Sequence, residues 1–189
     1  MVAGHFGFAA IVKSREKSTP LWALMLATVW LDIVFVPLLL AHLETILTIH
    51  KGYGGLIIHA DYTHSIIGML VLSAALGAMF LPRLGRRVAL VIALVSASHW
   101  VLDLVVHRAD MPVLPVNVGN LPYLGLGLWN HPQAAACVEL VLVAVGAILY
   151  WRAAMDVSAK AGRSGIKASV SAALIAAFGL LVLFLDYTS

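Results

Sequence analysis

Asp32, His59, His64, His99, Asp103 and His107 lie in or beside the most apolar stretches of this chain. Hydrocarbon rejects such groups. An Asp at the centre of a bilayer costs roughly 2.5–3.5 kcal/mol or more, so ionisable side chains retained there mark an ion, proton or substrate site. Imidazoles mixed with carboxylates are also a ligand set suited to a divalent metal. The strongest local pattern is Ser98-His99-Trp100-Val101-Leu102-Asp103, in which His99 and Asp103 are four apart and project from one helical face, with His107 continuing the stripe. Two ligands at that spacing chelate one cation without distorting the helix. A His–Asp hydrogen bond that staples two helices is the plainer alternative.

A second pattern, His59-Ala60-Asp61-Tyr62-Thr63-His64-Ser65, introduces the apolar run from Ile66 to Leu81. Asp61 suits the N-cap of that helix, with Thr63 or Ser65 satisfying its free amides. His59 and His64 would converge if the helix began near Asp61.

The elements that must carry these residues follow from composition. A chain of 189 residues that is 62% hydrophobic and 11% charged has too little polar surface to coat a soluble globule, which makes it an integral membrane protein. The single Cys137 leaves no internal disulfide, so helix packing must hold the fold. A net charge of +3 would suggest a polyanion partner in a soluble protein; here the basic residues sit in short loops between apolar runs, where they read as topology signals and argue against nucleic-acid binding.

The expected fold is an all-α, single-domain membrane protein over residues 1–189, with five transmembrane helices at about 20–41, 55–81, 88–107, 133–151 and 166–187. Residues 1–12 are too short to cross, lack the charge order of a signal peptide, and read as a half-helix or re-entrant segment. Pro20 and Pro82 punctuate span ends. Ten basic residues (Lys13, Arg15, Lys17, Arg83, Arg86, Arg87, Arg152, Lys160, Arg163 and Lys167) fall on one side of this arrangement, and Lys51 and Arg108 on the other. That bias places the ten in the cytoplasm, the C-terminus outside, and the chain in a bacterial-type inner membrane as a multi-pass protein. Trp22, Tyr150 and Trp151 fit an inner aromatic belt, and Tyr123 and Trp129 an outer one.

With this topology the polar groups share a depth. At about 1.5 Å per helical residue, Asp32, His64 and His99 fall roughly 12–15 Å beneath the outer surface, Asp61, Asp103 and Glu139 about 6–9 Å, and His59 and His107 near the rim. His5 rises about 12 Å from the inner face and would close this funnel from below. Pro37 frees the carbonyl of Ile33 beside Asp32, where a kink would widen a pocket, although membrane helices also tolerate proline without consequence. Glu139 suits a general base or a further ligand, or else a lone helix–helix hydrogen bond. His42, Glu44 and His50 read as solvated loop residues. The connection from Arg108 to Pro132, rich in proline and glycine, cannot be a regular helix and reads as a lid or a plug.

Gly4-His5, His59 with Thr63-His64-Ser65, and Ser98-His99 with Leu102-Asp103 together resemble the membrane-bound metal-dependent hydrolases, a family that includes LexA-regulated bacterial inner-membrane proteins and is reminiscent of the zinc-dependent phospholipases C. The likeness covers roughly the first 110 residues. It implies metal ligands at His5, Asp32, His59, His64, His99 and Asp103. Ala60-Asp61 stands where the family has Arg-Gly, and Asp32 stands alone where the family commonly has an acidic pair.

The functional expectation is a metal-dependent hydrolase, with zinc as the metal, acting on a lipid or lipid-like substrate from the outer side. Asp61 or Glu139 would take a proton from water and His107 would steady the leaving group. The alternatives are a cation or metal transporter and a non-catalytic scaffold whose polar core knits helices. The lack of an inverted repeat counts against transport.

Overall fold

The apolar runs become helices in a computed structural model, in which residues 1–188 are described. The elements in chain order are α1 (Val2–Arg15), α2 (Leu21–Thr28), α3 (Trp30–Leu40), β1 (Thr45–Thr48), β2 (Leu56–His59), α4 (Ile66–Val106), α5 (Pro132–Lys160) and α6 (Ile166–Thr188). Three of them, α4, α5 and α6, are long and apolar enough to cross a membrane, and α2 with α3 forms a fourth such unit bent by 45°.

The 14-residue α1 is the helix around which the others gather. It packs on α5, α2, α6 and the rim of α4. Its buried residues include Ala3, Gly4, Gly7, Ala9 and Ala10, small side chains that let backbones approach closely. A Cβ on Gly7 would stand 2.5 Å from the carbonyl carbon of Leu142 in α5, so only glycine fits that crossing. A short helix held this way needs protein on every side, consistent with a segment that does not span.

α4 is one element by hydrogen bonding but two limbs in space. Gly85 adopts φ 78°, ψ 169°, a conformation open to glycine, and turns the chain back among Arg83, Arg86 and Arg87. The limbs run antiparallel: Ser73 Oγ donates to Ser96 Oγ at 2.9 Å, and a Cβ on Gly77 would meet the Ala89 carbonyl oxygen and Ala93 Cβ at 2.9 Å each.

Three expectations need correction. Residues 55–65 are not the start of a helix: after Gly55, β2 pairs antiparallel with β1 in the register Thr45↔His59 to Thr48↔Leu56, and the helix begins only at Ile66. The fold is therefore helical with a two-stranded hairpin attached. The cap of α4 is Ser65, whose hydroxyl accepts from Gly68 N at 2.9 Å, not Asp61. The bend in the first apolar run lies at Val29 (φ −119°, ψ 14°), eight residues before Pro37, which sits inside the continuous α3.

The connection after α4 is irregular, as its composition predicts. Two short 3₁₀ turns (Pro115–Asn117 and Leu128–Asn130) and a bridge between Met111 and Leu124 shape it. Trp129, expected at the outer interface, is instead buried under this cover.

Candidate metal centre

The break between α2 and α3 and the pairing of the α4 limbs bring Asp32, His64 and Asp103 around His99 Nε2. His99 Nε2 lies 2.9 Å from Asp103 Oδ2 and 3.4 Å from Asp32 Oδ1. His64 Nε2 lies 3.2 Å from His99 Nε2, 3.5 Å from Asp103 Oδ2 and 3.6 Å from Asp32 Oδ1. From α1, His5 Nε2 reaches Asp103 Oδ1 at 3.1 Å, and its ring stacks on His99 with centroids 3.9 Å apart. His5 and His99 are fully buried, and His64 and Asp103 are each 3% exposed. These residues form two groups able to hold a metal ion, one of His5, His99 and Asp103 and the other of Asp32, His64 and His99.

Neighbouring groups fix how the imidazoles present themselves. His99 Nδ1 is 2.8 Å from the Thr28 carbonyl, which can only accept, so Nδ1 carries a proton and Nε2 is the atom that faces the cluster. That carbonyl is available because α2 ends there. His64 Nδ1 is 2.9 Å from Thr63 Oγ1, whose single hydrogen is claimed by the Glu44 carboxylate at 3.0 Å and 3.2 Å. His64 therefore also donates from Nδ1 and turns Nε2 inward. Two Nε2 atoms beside two carboxylates call for positive charge, which a metal ion, a proton on Nε2 or the Met1 ammonium 3.7 Å from Asp103 Oδ1 can each supply. Trp100 Nε1, donating to the His64 carbonyl at 2.6 Å, fixes the backbone of the same residue.

Glu44 is thus not a solvated loop residue. It is 1% exposed and also accepts from Tyr62 N at 3.0 Å and Thr63 N at 2.8 Å, fastening the turn before α4. Asp110 is the other residue that sequence reasoning missed: its Oδ1 lies 2.9 Å from His107 Nδ1 and orients that ring, whose Nε2 is 4.0 Å from Asp103 Oδ2. The Trp129 ring lies against His107 with centroids 4.4 Å apart. The spacing His107-Arg108-Ala109-Asp110 was a visible signal for a His–Asp pair just beyond a helix end.

Three nominated residues stand elsewhere. His59, in β2 opposite Thr45, belongs to neither metal group, because a strand and a turn, in place of the expected helix, separate it from His64. Asp61 lies in the following turn, where its carbonyl accepts from Val116 N at 3.1 Å under the outer cover, and it does not line the cavity described next. Glu139 is fully buried but committed: it accepts from Gly4 N at 2.8 Å, at the N-terminal end of α1, and from the Tyr53 hydroxyl. A carboxylate at a helix N-terminus satisfies amides that have no intrahelical partner. Glu139 therefore holds α1 in place one residue before His5. Burial first, and the Glu139 carboxylate after it, push the Tyr53 phenol up, which keeps it a donor.

A cavity of about 550 Å³ opens on the cluster. Asp32, His64, Asp103 and His107 form its polar end, Phe35, Val36, Leu56 and Ile58 contribute apolar wall, and Lys51 stands among the loop residues that line it. Comparison with protein families, curated proteins and solved structures returned no match.

Proposed function

We propose that this chain is a membrane-embedded, metal-dependent hydrolase of a lipid or lipid-like substrate, similar in its motifs to the membrane-bound metal-dependent hydrolases. The observation that carries the reading is the cluster in which His64 Nε2, His99 Nε2 and the carboxylates of Asp103 and Asp32 converge. The five separations that involve a histidine nitrogen run from 2.9 to 3.6 Å. Tetrahedral zinc, with bonds of 2.0–2.1 Å, asks for ligand separations of roughly 3.3 Å. The donor set, nitrogen with carboxylate oxygen, suits zinc, and His5 approaches it through Nε2, 3.1 Å from Asp103 Oδ1.

In this reading His64, His99, Asp103 and Asp32 hold the ion, with His5 in support. A bound divalent ion supplies Lewis acidity, polarising a phosphoryl or acyl oxygen and making water a better nucleophile near neutral pH. The chain's own residues do the rest. Thr28 and the Thr63–Glu44 pair hold the His99 and His64 rings in the ligating tautomer. His107, steered by Asp110, has Nε2 at the cavity wall and moves the proton that leaves water or reaches the leaving group; it replaces Asp61 and Glu139 in that role. Trp129 and the outer connection shield the polar end from bulk water. The apolar wall accepts the start of an acyl chain while the headgroup meets the cluster.

The same reading counts five crossing segments: the bent α2–α3 unit, both limbs of α4, α5 and α6, with α1 as an embedded half-helix. The basic loops then face the cytoplasm of a bacterial-type cell and the cavity faces outward, with membrane lipid as partner and source of substrate.

Elemental analysis of detergent-purified protein, paired with turnover of labelled phospholipid in the presence and absence of chelator, tests the proposal. We expect bound zinc in the wild type, none in His99→Ala, and hydrolysis that chelator abolishes. Metal without turnover would favour a carrier; a metal-free wild type would leave a scaffold with a polar core.

A further inference from the structure

At the opposite end of the molecule, a second cavity of about 300 Å³ lies between the end of α1, α5 and the start of α6. His5 and Lys13, eight residues apart on α1, separate the two places by about 12 Å along the helix axis. Lys13, Lys17, Lys167, Tyr150, Ser158 and Ser171 are the polar residues that line this cavity, and among the described residues no acid does. Lys167 lies about 150 residues beyond Lys13 and Lys17, so the fold itself brings it to them. Lys13 is fixed, donating from Nζ to the carbonyls of Lys17 at 2.9 Å and Thr19 at 2.7 Å. Glu16, the nearest acid in sequence, is spent on Arg87 and Ser18. Ala153, Ala154 and Ala168 make the recess by being small.

Among the described lining residues the lysines have no acid to balance them, and the hydroxyls can donate beside them, which favours an anion of several oxygens. Its surroundings say what the anion is attached to. Ile166, Val170, Leu174 and Phe178 follow one another at four-residue intervals and are 69%, 52%, 64% and 49% exposed, an apolar stripe on α6 adjoining Lys167 and Ser171. A phosphate in the cavity with an acyl chain along that stripe accounts for both features.

We propose that this cavity binds the phosphate headgroup of an anionic phospholipid in the leaflet on the basic side of the molecule, through Lys17 and Lys167. Basic recesses between membrane helices on the cytoplasmic side recognise such headgroups by charge, and the hydroxyls of Tyr150 and Ser171 add donors to the phosphate oxygens. Hydrolysis at the other end of the protein is not required for it.

The test uses the full chain in a zwitterionic detergent with phosphatidylglycerol, phosphatidylcholine or inorganic phosphate added, read by native mass spectrometry and by the thermal-unfolding midpoint. Phosphatidylglycerol should be retained in preference to phosphatidylcholine and should raise the midpoint. Replacing both lysines (Lys17→Gln with Lys167→Gln) should weaken that retention about 30-fold, from roughly fivefold for each lysine near an anionic headgroup. Lys17→Arg with Lys167→Arg should keep it, and the metal content of all variants should match the wild type. Equal retention of the two lipids, or unchanged binding in the double Gln variant, overturns the proposal. Inorganic phosphate that raises the midpoint as much as phosphatidylglycerol does overturns the lipid as the source of the anion.

Discussion

Replacing Thr63 by valine removes one oxygen atom and leaves the side-chain volume nearly unchanged, which isolates the link between Glu44 and His64. Thr63 Oγ1 lies 2.9 Å from His64 Nδ1 and 3.0 Å from a Glu44 oxygen. With it gone, Nδ1 has no acceptor, and the ring is free to change tautomer or rotate its Nε2 out of the cluster. A buried donor left unsatisfied costs about 1–3 kcal/mol, and loss of such an outer partner lowers metal affinity by about 10- to 100-fold. The two figures agree, since a tenfold change corresponds to about 1.4 kcal/mol. Glu44 keeps its bonds to Tyr62 N and Thr63 N, so the turn before α4 should hold and the metal-free protein should unfold within a few degrees of the wild type. Competition against a chromophoric chelator, with both proteins in one detergent, measures the shift. Wild-type affinity in Thr63→Val, alongside complete loss in His99→Ala, would refute the orienting role of the Thr63–Glu44 pair.

Asp110→Asn should lower kcat by about 100-fold while metal stoichiometry stays at the wild-type value, because proton transfer in a transition state contributes about 10²–10⁴-fold and Asp110 steers His107 without sitting among the close donors; parallel kinetics and elemental analysis decide it. Gly7→Leu should prevent α1 from seating against Leu142, with destabilisation of about 1–3 kcal/mol or more and loss of His5 from the cluster, read as a lower midpoint and weaker metal binding. The Glu16 carboxyl, held by the Ser18 hydroxyl and by Arg87, titrates at about 2 against an ordinary 4.5. Its contribution to tying α1 to the turn at Gly85 is therefore complete above pH 4.5 and disappears as the pH falls toward 2, so Glu16→Gln should flatten the acid limb of a stability profile in that window.

The His/Asp cluster was legible because its members break local rules. Asp32, His99 and Asp103 are ionisable groups inside runs that otherwise contain none, and the spacing of His99 and Asp103 states which way they point. The expectation that Asp32, His64 and His99 meet came from counting residues along the spans, and the structure brings the three together, with His5 beside His99 and Asp103. What could not be read was made by backbone. β1 and β2 are short and contain nothing that outcompetes a helical reading of an apolar stretch, yet their pairing removes His59 from the centre and carries Glu44 to Thr63. Glu44 and Asp110 sit among polar loop residues, where a buried acid looks like a solvated one until its donors are known. The bend at Val29 has no proline or glycine to announce it; its meaning is visible only through His99, which takes the Thr28 carbonyl that the helix leaves behind.

The packing of α1 sets an order of events during biogenesis. A helix of 14 residues, about 21 Å long, cannot rest alone in a bilayer, and the surface it needs is the backbone of α5, more than a hundred residues downstream. His5 therefore leaves the ribosome early and reaches its neighbours late, after the segments bearing Asp32, His64 and Asp103 have already been made. On the proposed metal-binding reading, a site that includes His5 is therefore completed only at the close of assembly.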